Sequence, residues 1–133
     1  MEWTNRIACA VGVGLMMAAF VSLHAQQTGF KRTVVQQGDL STPGREVVQA
    51  IAEIQPGGQS GKHTHPGEEV AYILEGTIML EMAGKPPVSK TAGEAFLVPA
   101  GTVHNAKNTG KTVAKVLGTY IVEKGKPLAT PVQ

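Results

Sequence analysis

The chain of 133 residues has little cysteine, aspartate or aromatic content. Its one cysteine, Cys9, lies in the N-terminal apolar stretch, so the remainder of the chain cannot form a disulfide and must fold on its apolar core. Aromatic residues make up 5% of the sequence, which leaves little surface for stacking a large flat ligand. The single aspartate, Asp39, stands among turn-forming residues, which argues against a Ser-His-Asp catalytic arrangement.

Arginine is also scarce, and the basic residues are scattered. Beyond residue 25 the only arginines are Arg32 and Arg45, and neither adjoins a motif, so firm bidentate capture of a phosphate or dicarboxylate is not expected. The net charge of +2 is small, and the lysines form no cluster. These features predict no nucleic-acid partner.

The first 25 residues form a separate segment. From Ile7 to Leu23 the chain has no charge, and Ala25 follows, which is the layout of a signal peptide removed after Ala25. The alternative is an uncleaved N-terminal anchor, although this run is just short of the ~20 residues that usually span a bilayer. We therefore expect a periplasmic or secreted protein with no membrane association after cleavage.

The rest of the sequence predicts one all-β domain. No apolar pattern of helical period persists, whereas glycines and prolines separate short β-branched and apolar runs. We expect an N-terminal arm over 26–45, with a loose linker at 26–30, a barrel over 46–123 and a C-terminal tail over 124–133. The predicted strands are Lys31–Gln36, Val47–Ile54, Val70–Leu74, Thr77–Met82, Val88–Thr91, Phe96–Val98, Thr102–Ala106 and Thr112–Val122, the last being the longest.

Histidines and a glutamate predict a metal site. In an extended strand His63 and His65 point to one face, and Glu69 shares their parity. His104 follows a Pro-x-Gly turn, and the fixed φ of Pro99 restricts the direction in which the chain approaches His104. Three nitrogen ligands and one carboxylate suit a divalent transition metal. Glu68 competes for the carboxylate role, but the alternation favours Glu69.

The spacing of these residues resembles that of the small single-domain cupins of the conserved-barrel type. The first motif, G-x5-HxH-x3-E-x6-G, and the second, G-x5-PxG-x2-H-x3-N, are both matched in full, by Gly57, His63, His65, Glu69 and Gly76 and by Gly93, Pro99, Gly101, His104 and Asn108. The resemblance implies a jelly-roll barrel of two antiparallel sheets, often a homodimer. It also implies one bound divalent ion of Mn, Fe, Ni, Cu or Zn, with His63, His65, Glu69 and His104 as its ligands.

Parity also predicts a small apolar pocket around the ion. If Glu69 faces inward, the alternate residues of its strand do so too, and the same holds for the strand of His104. The predicted pocket residues are Ala71, Ile73, Phe96, Val98, Ala106 and Asn108. For Asn108, a role in capping a turn at the strand end is the alternative.

These observations lead to a function of a general kind. We expect a metal-dependent, dioxygenase-like oxidoreductase acting on a small oxygenated organic molecule, with Glu69 as a proton shuttle. The alternatives are a non-enzymatic module that binds a metal or small ligand, and a metal-dependent lyase or isomerase. Fold alone cannot choose among them.

Overall fold

The structure, a computed structural model, describes residues 27–133. The predicted signal peptide or anchor at 1–25 therefore lies outside the described residues. Within the described residues, no helix is long and apolar enough to cross a membrane.

The described part of the chain is built from ten β-strands, and it is all-β as predicted. In chain order they are β1 Thr28–Asp39, β2 Arg45–Gln59, β3 His63–Thr64, β4 Gly67–Glu75, β5 Thr77–Met82, β6 Val88–Thr91, β7 Ala95–Val98, β8 His104–Asn108, β9 Ala114–Glu123 and β10 Thr130–Pro131.

The strands pair antiparallel throughout and form a nearly closed barrel with two faces. One face has the order β1-β2-β9-β4-β7, and the other has the order β6-β5-β8-β3-β10. Strand β2 joins them, because its last residue, Gln59, pairs with Lys107 of β8. The predicted jelly-roll barrel is confirmed, with its two sheets continuous at this corner.

Strand β2 is longer than predicted. The predicted strand ends at Ile54, but the observed strand bends at Pro56-Gly57-Gly58 and continues to Gln59. Gly57 has a φ of 75°, which an L side chain rarely adopts, and a Cβ on Gly58 would lie 2.6 Å from the Thr28 carbonyl oxygen. The glycines thus turn the strand between sheets, and β2, not β9, is the longest strand.

The N-terminal arm also differs from the prediction. The segment expected to be a loose linker, 26–30, contributes Thr28, Gly29 and Phe30 to β1, which pairs along β2 from Thr28 to Asp39. Pairing with a long partner strand satisfies backbone groups that the short predicted strand would have left to solvent. Residues 28–39 are therefore a full strand of the first sheet.

Alternation along the strands places the core between the two faces. In β4, Glu69, Ala71 and Ile73 are buried, while Val70 and Tyr72 are exposed, as the parity argument predicted. The largest fully buried side chains are Ile54, Ile73, Ile78, Val98 and Val122. Burying a residue of this size stabilises a fold by about 1.5–3 kcal/mol, so these strands do not depend on a disulfide.

Candidate metal centre

Three strands and the segment that follows β3 bring the predicted ligands together. His63 in β3 lies directly across from His104 in β8, and Glu69 lies in β4, so both sheets contribute. His65 follows β3, and its carbonyl accepts a hydrogen bond of 3.0 Å from the backbone N–H of Gly101 in the Pro-x-Gly turn. The two sequence motifs are thus tied to each other through the backbone.

Backbone carbonyls orient all three imidazole rings. The Nδ1–H of His63 donates to Gly61 O at 2.7 Å, and that of His104 donates to Thr102 O at 2.9 Å. The Nδ1–H of His65 donates to Leu128 O at 2.6 Å. A carbonyl is only an acceptor, so each neutral ring carries its proton on Nδ1 and presents a bare Nε2 lone pair.

These lone pairs converge on one point together with a carboxylate oxygen. His63 Nε2 lies 3.2 Å from His65 Nε2, and Glu69 Oε2 lies 3.1 Å from His104 Nε2 and 3.3 Å from His65 Nε2. All three histidines and Glu69 are buried. The three histidines form a cluster that can hold a metal ion, with ligand atoms within 4.8 Å of one another.

The donor set fits a cation. Four acceptors facing one another at such distances repel one another unless a proton or positive ion lies between them. Ligand atoms bound at about 2.0–2.2 Å to a shared ion lie about 2.9–3.5 Å apart when they are neighbours, which matches the three short distances above. The residues present therefore suit a divalent transition metal, which the chemistry of imidazole and carboxylate leaves unspecified between Mn, Fe, Ni, Cu and Zn.

Burial and neighbours shift the titration of the cluster in the metal-free chain. Desolvation lowers the pKa of His63 to about 4, although the hydrogen bond to Gly61 O acts in the opposite direction. Burial alone would raise the pKa of Glu69, but the close contacts with His104 and His65 outweigh it and hold that pKa well below its usual range. Burial, followed by the charge of Glu69, raises the pKa of Tyr120 far above that of a free phenol.

A small cavity of about 30 Å³ adjoins the centre. Of the predicted pocket residues, Phe96 and Ala106 line it. Ala71 and Ile73 pack into the main core cluster instead, and Val98 packs against Leu80 and Met82. The cavity lining comprises Phe30, Arg32, Ala52, Ile54, Ser60, His63, Glu69, Leu80, Phe96, His104, Ala106, Val116 and Tyr120.

Asn108 lies away from the cavity and holds a turn together. Its Nδ2 donates to Ile54 O at 2.8 Å and to Thr112 O at 2.7 Å, while its Oδ1 accepts from the N–H of Gly110. This buried amide connects the end of β8 to β2. Of the two roles considered for Asn108, the structure shows the turn-capping one.

Three contributors to the site were missed by the sequence reasoning. Arg32 and Tyr120 line the cavity from β1 and β9, and the Leu128 carbonyl in the tail orients His65. Tyr120 has an inward parity on a regularly alternating strand, which is a signal that could have found it. The tail has no such signal, because its position follows from β10 pairing with β3.

A larger cavity of about 380 Å³ lies beside the barrel and meets the centre only at His104. Its other lining residues are Lys62, Glu81, Met82, Ala83, Lys85, Pro87, Val103, Asn105 and Lys107. Asn105 is buried there and bonds to Gln59 and Glu81, and Lys107 pairs with Glu81 at 2.7 Å. These polar groups satisfy one another, whereas three of the four candidate ligands line the smaller cavity.

Comparison with known proteins agrees with the fold. A family model described as "Cupin domain" matches residues 50–123. The germin-like protein subfamily 2 member 2 of Arabidopsis thaliana is 44% identical over 77 residues, which cover 53% of this chain and 35% of that protein. The chain spans about a third of the length of the germin-like relatives it matches.

Solved structures show the same architecture. A double-stranded β-helix protein from Klebsiella pneumoniae superposes with a TM-score of 0.66, over 83% of this chain and 91% of that one. The two sequences are only 16% identical, so this likeness supports the fold and nothing further. Oxalate oxidase in complex with the substrate analogue glycolate superposes with a TM-score of 0.62 at 25% identity. That match covers 78% of this chain and 55% of the oxidase.

The lowered pKa of His63 predicts acid sensitivity of the metal-free protein. Unfolding restores a pKa of about 6.5, so between about pH 6.5 and 4 the unfolded chain binds a proton that the folded chain does not. Folding stability is thus greatest above pH 6.5 and declines as the pH falls, by at most about 3 kcal/mol from this residue. Urea unfolding of chelator-treated protein at pH 7.5, 6 and 5 measures the decline.

The matched variant is His63→Gln, which keeps a polar side chain and removes the titration. Its stability should change less over the same pH range than that of the natural protein. Equal changes in the two proteins would show that His63 does not cause the acid sensitivity.

Proposed function

We propose that this chain, which belongs to the cupin family, is a mononuclear metal-dependent enzyme acting on a small oxygenated organic molecule. The observation that carries the proposal is the convergence of three bare Nε2 lone pairs and the Glu69 carboxylate at a small cavity. His63, Glu69 and His104 line that cavity directly, so a ligand inside it reaches the centre. We assign the four ligand positions to these three residues and His65.

A bound divalent ion would supply Lewis-acid activation of a substrate oxygen and, if redox-active, electron transfer to dioxygen. The protein's own contribution is to hold the ligands in place before a substrate arrives. The carbonyls of Gly61, Thr102 and Leu128 fix the three rings, so no ring has to reorient. Apolar side chains such as Ile54, Leu80 and Val116 line the cavity and restrict water around the reacting atoms.

Glu69 is the group we assign to proton transfer. It is the only carboxylate among the cavity-lining residues, and its Oε2 lies 3.1 Å from His104 Nε2. When it loosens from the centre, Oε2 can accept a proton from a substrate hydroxyl and return it later. The raised pKa of Tyr120 keeps that hydroxyl protonated, so it can donate a hydrogen bond but is not a base.

The oxidative form of the proposal is supported by likeness to oxalate oxidase over part of the chain. The small cavity and the few aromatic residues favour a compact substrate over a flavonoid-sized one. The alternatives, a non-enzymatic binding module and a lyase or isomerase, would use the same metal centre. Unlike an oxidative enzyme, neither would consume dioxygen.

Oxygen uptake tests the oxidative function. Protein reconstituted separately with Mn, Fe, Ni, Cu or Zn is supplied with a panel of small enols and diketones in an oxygen electrode. We expect uptake with at least one redox-active metal and none with Zn.

The variant His104→Ala should remain folded by circular dichroism, because the strands and apolar core carry the fold. It should lose metal occupancy and oxygen uptake. No uptake with any metal would contradict the oxidative function, and product formed without dioxygen would identify a lyase or isomerase.

We also propose that the protein is a homodimer that uses the outer face of β4 and β7. Val70, Tyr72, Leu74 and Leu97 are exposed there, and Val70 pairs with Leu97 across the two strands. A contiguous apolar sheet face of this kind is usually covered in solution. A second copy of the chain can cover it with the same face, as in two-fold symmetric dimers.

Light scattering after size exclusion tests this interface. The natural protein should have the mass of a dimer, and Tyr72→Glu should shift it to a monomer, since two charges would be buried at a symmetric contact. Val88→Glu is the control, because Val88 is similarly exposed but lies on β6 in the other sheet. A monomeric natural protein would rule the interface out.

Export remains a proposal that rests on the sequence of residues 1–25. N-terminal sequencing of the protein isolated from its native host should begin at Gln26, with the protein in the periplasm or the medium. Retention of residues 1–25 in the membrane fraction would indicate the anchor, and retention in the cytosol would contradict export.

A further inference from the structure

Arg32 occupies a position in the cavity that the metal centre does not explain. It lies on β1 across from Ala52 and lines the same cavity as Glu69 and His104. Its Cζ is 5.1 Å from the ring centroid of Phe30 and 5.6 Å from that of Tyr120. Contacts between a guanidinium and two aromatic rings restrict how the side chain can turn. The cation is therefore held at the cavity.

One donor of the Arg32 guanidinium lacks a hydrogen-bond partner, although the side chain also hydrogen-bonds to Tyr120. Its Nε is buried without a hydrogen-bond acceptor, and it is the only such side-chain atom found in residues 27–133. No carboxylate in this part of the chain pairs with Arg32, whereas Glu69 already contacts His65 and His104. Buried donors on charged groups are nearly always satisfied, so an unsatisfied one points to an acceptor that arrives from outside.

The charge balance of the cavity favours an anion. Three neutral imidazoles and one carboxylate around a divalent ion leave a net charge of +1, and Arg32 adds another. Apart from Glu69, the cavity lining contains no acidic side chain. A bound anion would offset this excess and supply the missing acceptor.

We propose that Arg32 is the anion-binding residue of this site and that the substrate is a small carboxylate held between the guanidinium and the metal centre. The proposal rests on the function proposed above and names its substrate class. A carboxylate matches the planar fork of donors on a guanidinium. The cavity of about 30 Å³ has room for about two water-sized groups, which the two carboxylate oxygens can replace. The expectation that neither arginine captures an anion is thereby revised for Arg32.

Calorimetric titration of acetate and glycolate into zinc-loaded protein tests the proposal, with acetamide as the uncharged probe. Zinc is redox-silent, so the readout is binding alone. We expect Arg32→Met and Arg32→Gln each to weaken acetate and glycolate binding about tenfold or more and to leave acetamide binding unchanged. Arg32→Lys keeps the charge without the fork and should lie in between. Arg45→Met is the matched control, because Arg45 begins β2 and does not line the cavity.

Zinc affinity, measured by chelator competition, separates this proposal from the metal centre. It should be similar in the natural protein and all arginine variants, since Arg32 is not among the assigned ligands. Equal carboxylate affinity in the natural protein and both neutral Arg32 variants would overturn the proposal. So would acetate binding no tighter than acetamide, or inorganic phosphate binding tighter than acetate. If zinc does not bind at all, the metal-dependent function fails, and titration of the metal-free protein against Arg32→Met then decides the role of Arg32 separately.

Discussion

The centre depends on three hydrogen bonds from imidazole Nδ1–H groups to backbone carbonyls. They force the three Nε2 lone pairs toward one another and toward Glu69, an arrangement that is unfavourable until a cation shares it. The carbonyls come from a turn before β3, from the Pro-x-Gly turn and from the tail. Segments distant in sequence, the tail among them, therefore determine the geometry of one point.

Around this point the barrel places few polar side chains. One carboxylate, one guanidinium and one phenol face a cavity that is otherwise largely apolar. Space for the phenol comes from Gly118, since a Cβ there would lie 2.6 Å from the Tyr120 hydroxyl oxygen. Gly67 is needed for a similar reason, because a Cβ would overlap the Ile121 carbonyl of the paired strand β9. Backbone proximity thus allows a small barrel to enclose a polar centre.

Much of the fold could be predicted, because alternation of apolar and polar residues and the positions of glycine and proline are local signals. Strands β5 and β6 have the predicted bounds, and the burial of β4 alternates as expected. The end of strand β2 could not be predicted, because its glycines bend the chain at a point where strand β1 continues to pair with it. The pocket was only partly predictable for a related reason. Parity states which face a residue lies on, but whether it meets the cavity or the core depends on the opposite sheet, as Ile73 and Phe96 show.

The sequence by itself determined the all-β class and the resemblance to the cupins, and it singled out His63, His65, Glu69 and His104 as candidate ligands. These inferences follow from spacing and chemistry within two short stretches. Only the tertiary structure decided which carbonyls orient the rings, and only it brought Arg32, Tyr120 and Leu128 to the centre. Their places depend on the pairing of β1, β9 and β10 with distant strands. Such pairing is a property of the folded barrel, and it leaves no mark at Arg32 or Leu128, whereas the alternation of β9 marks only which way Tyr120 faces.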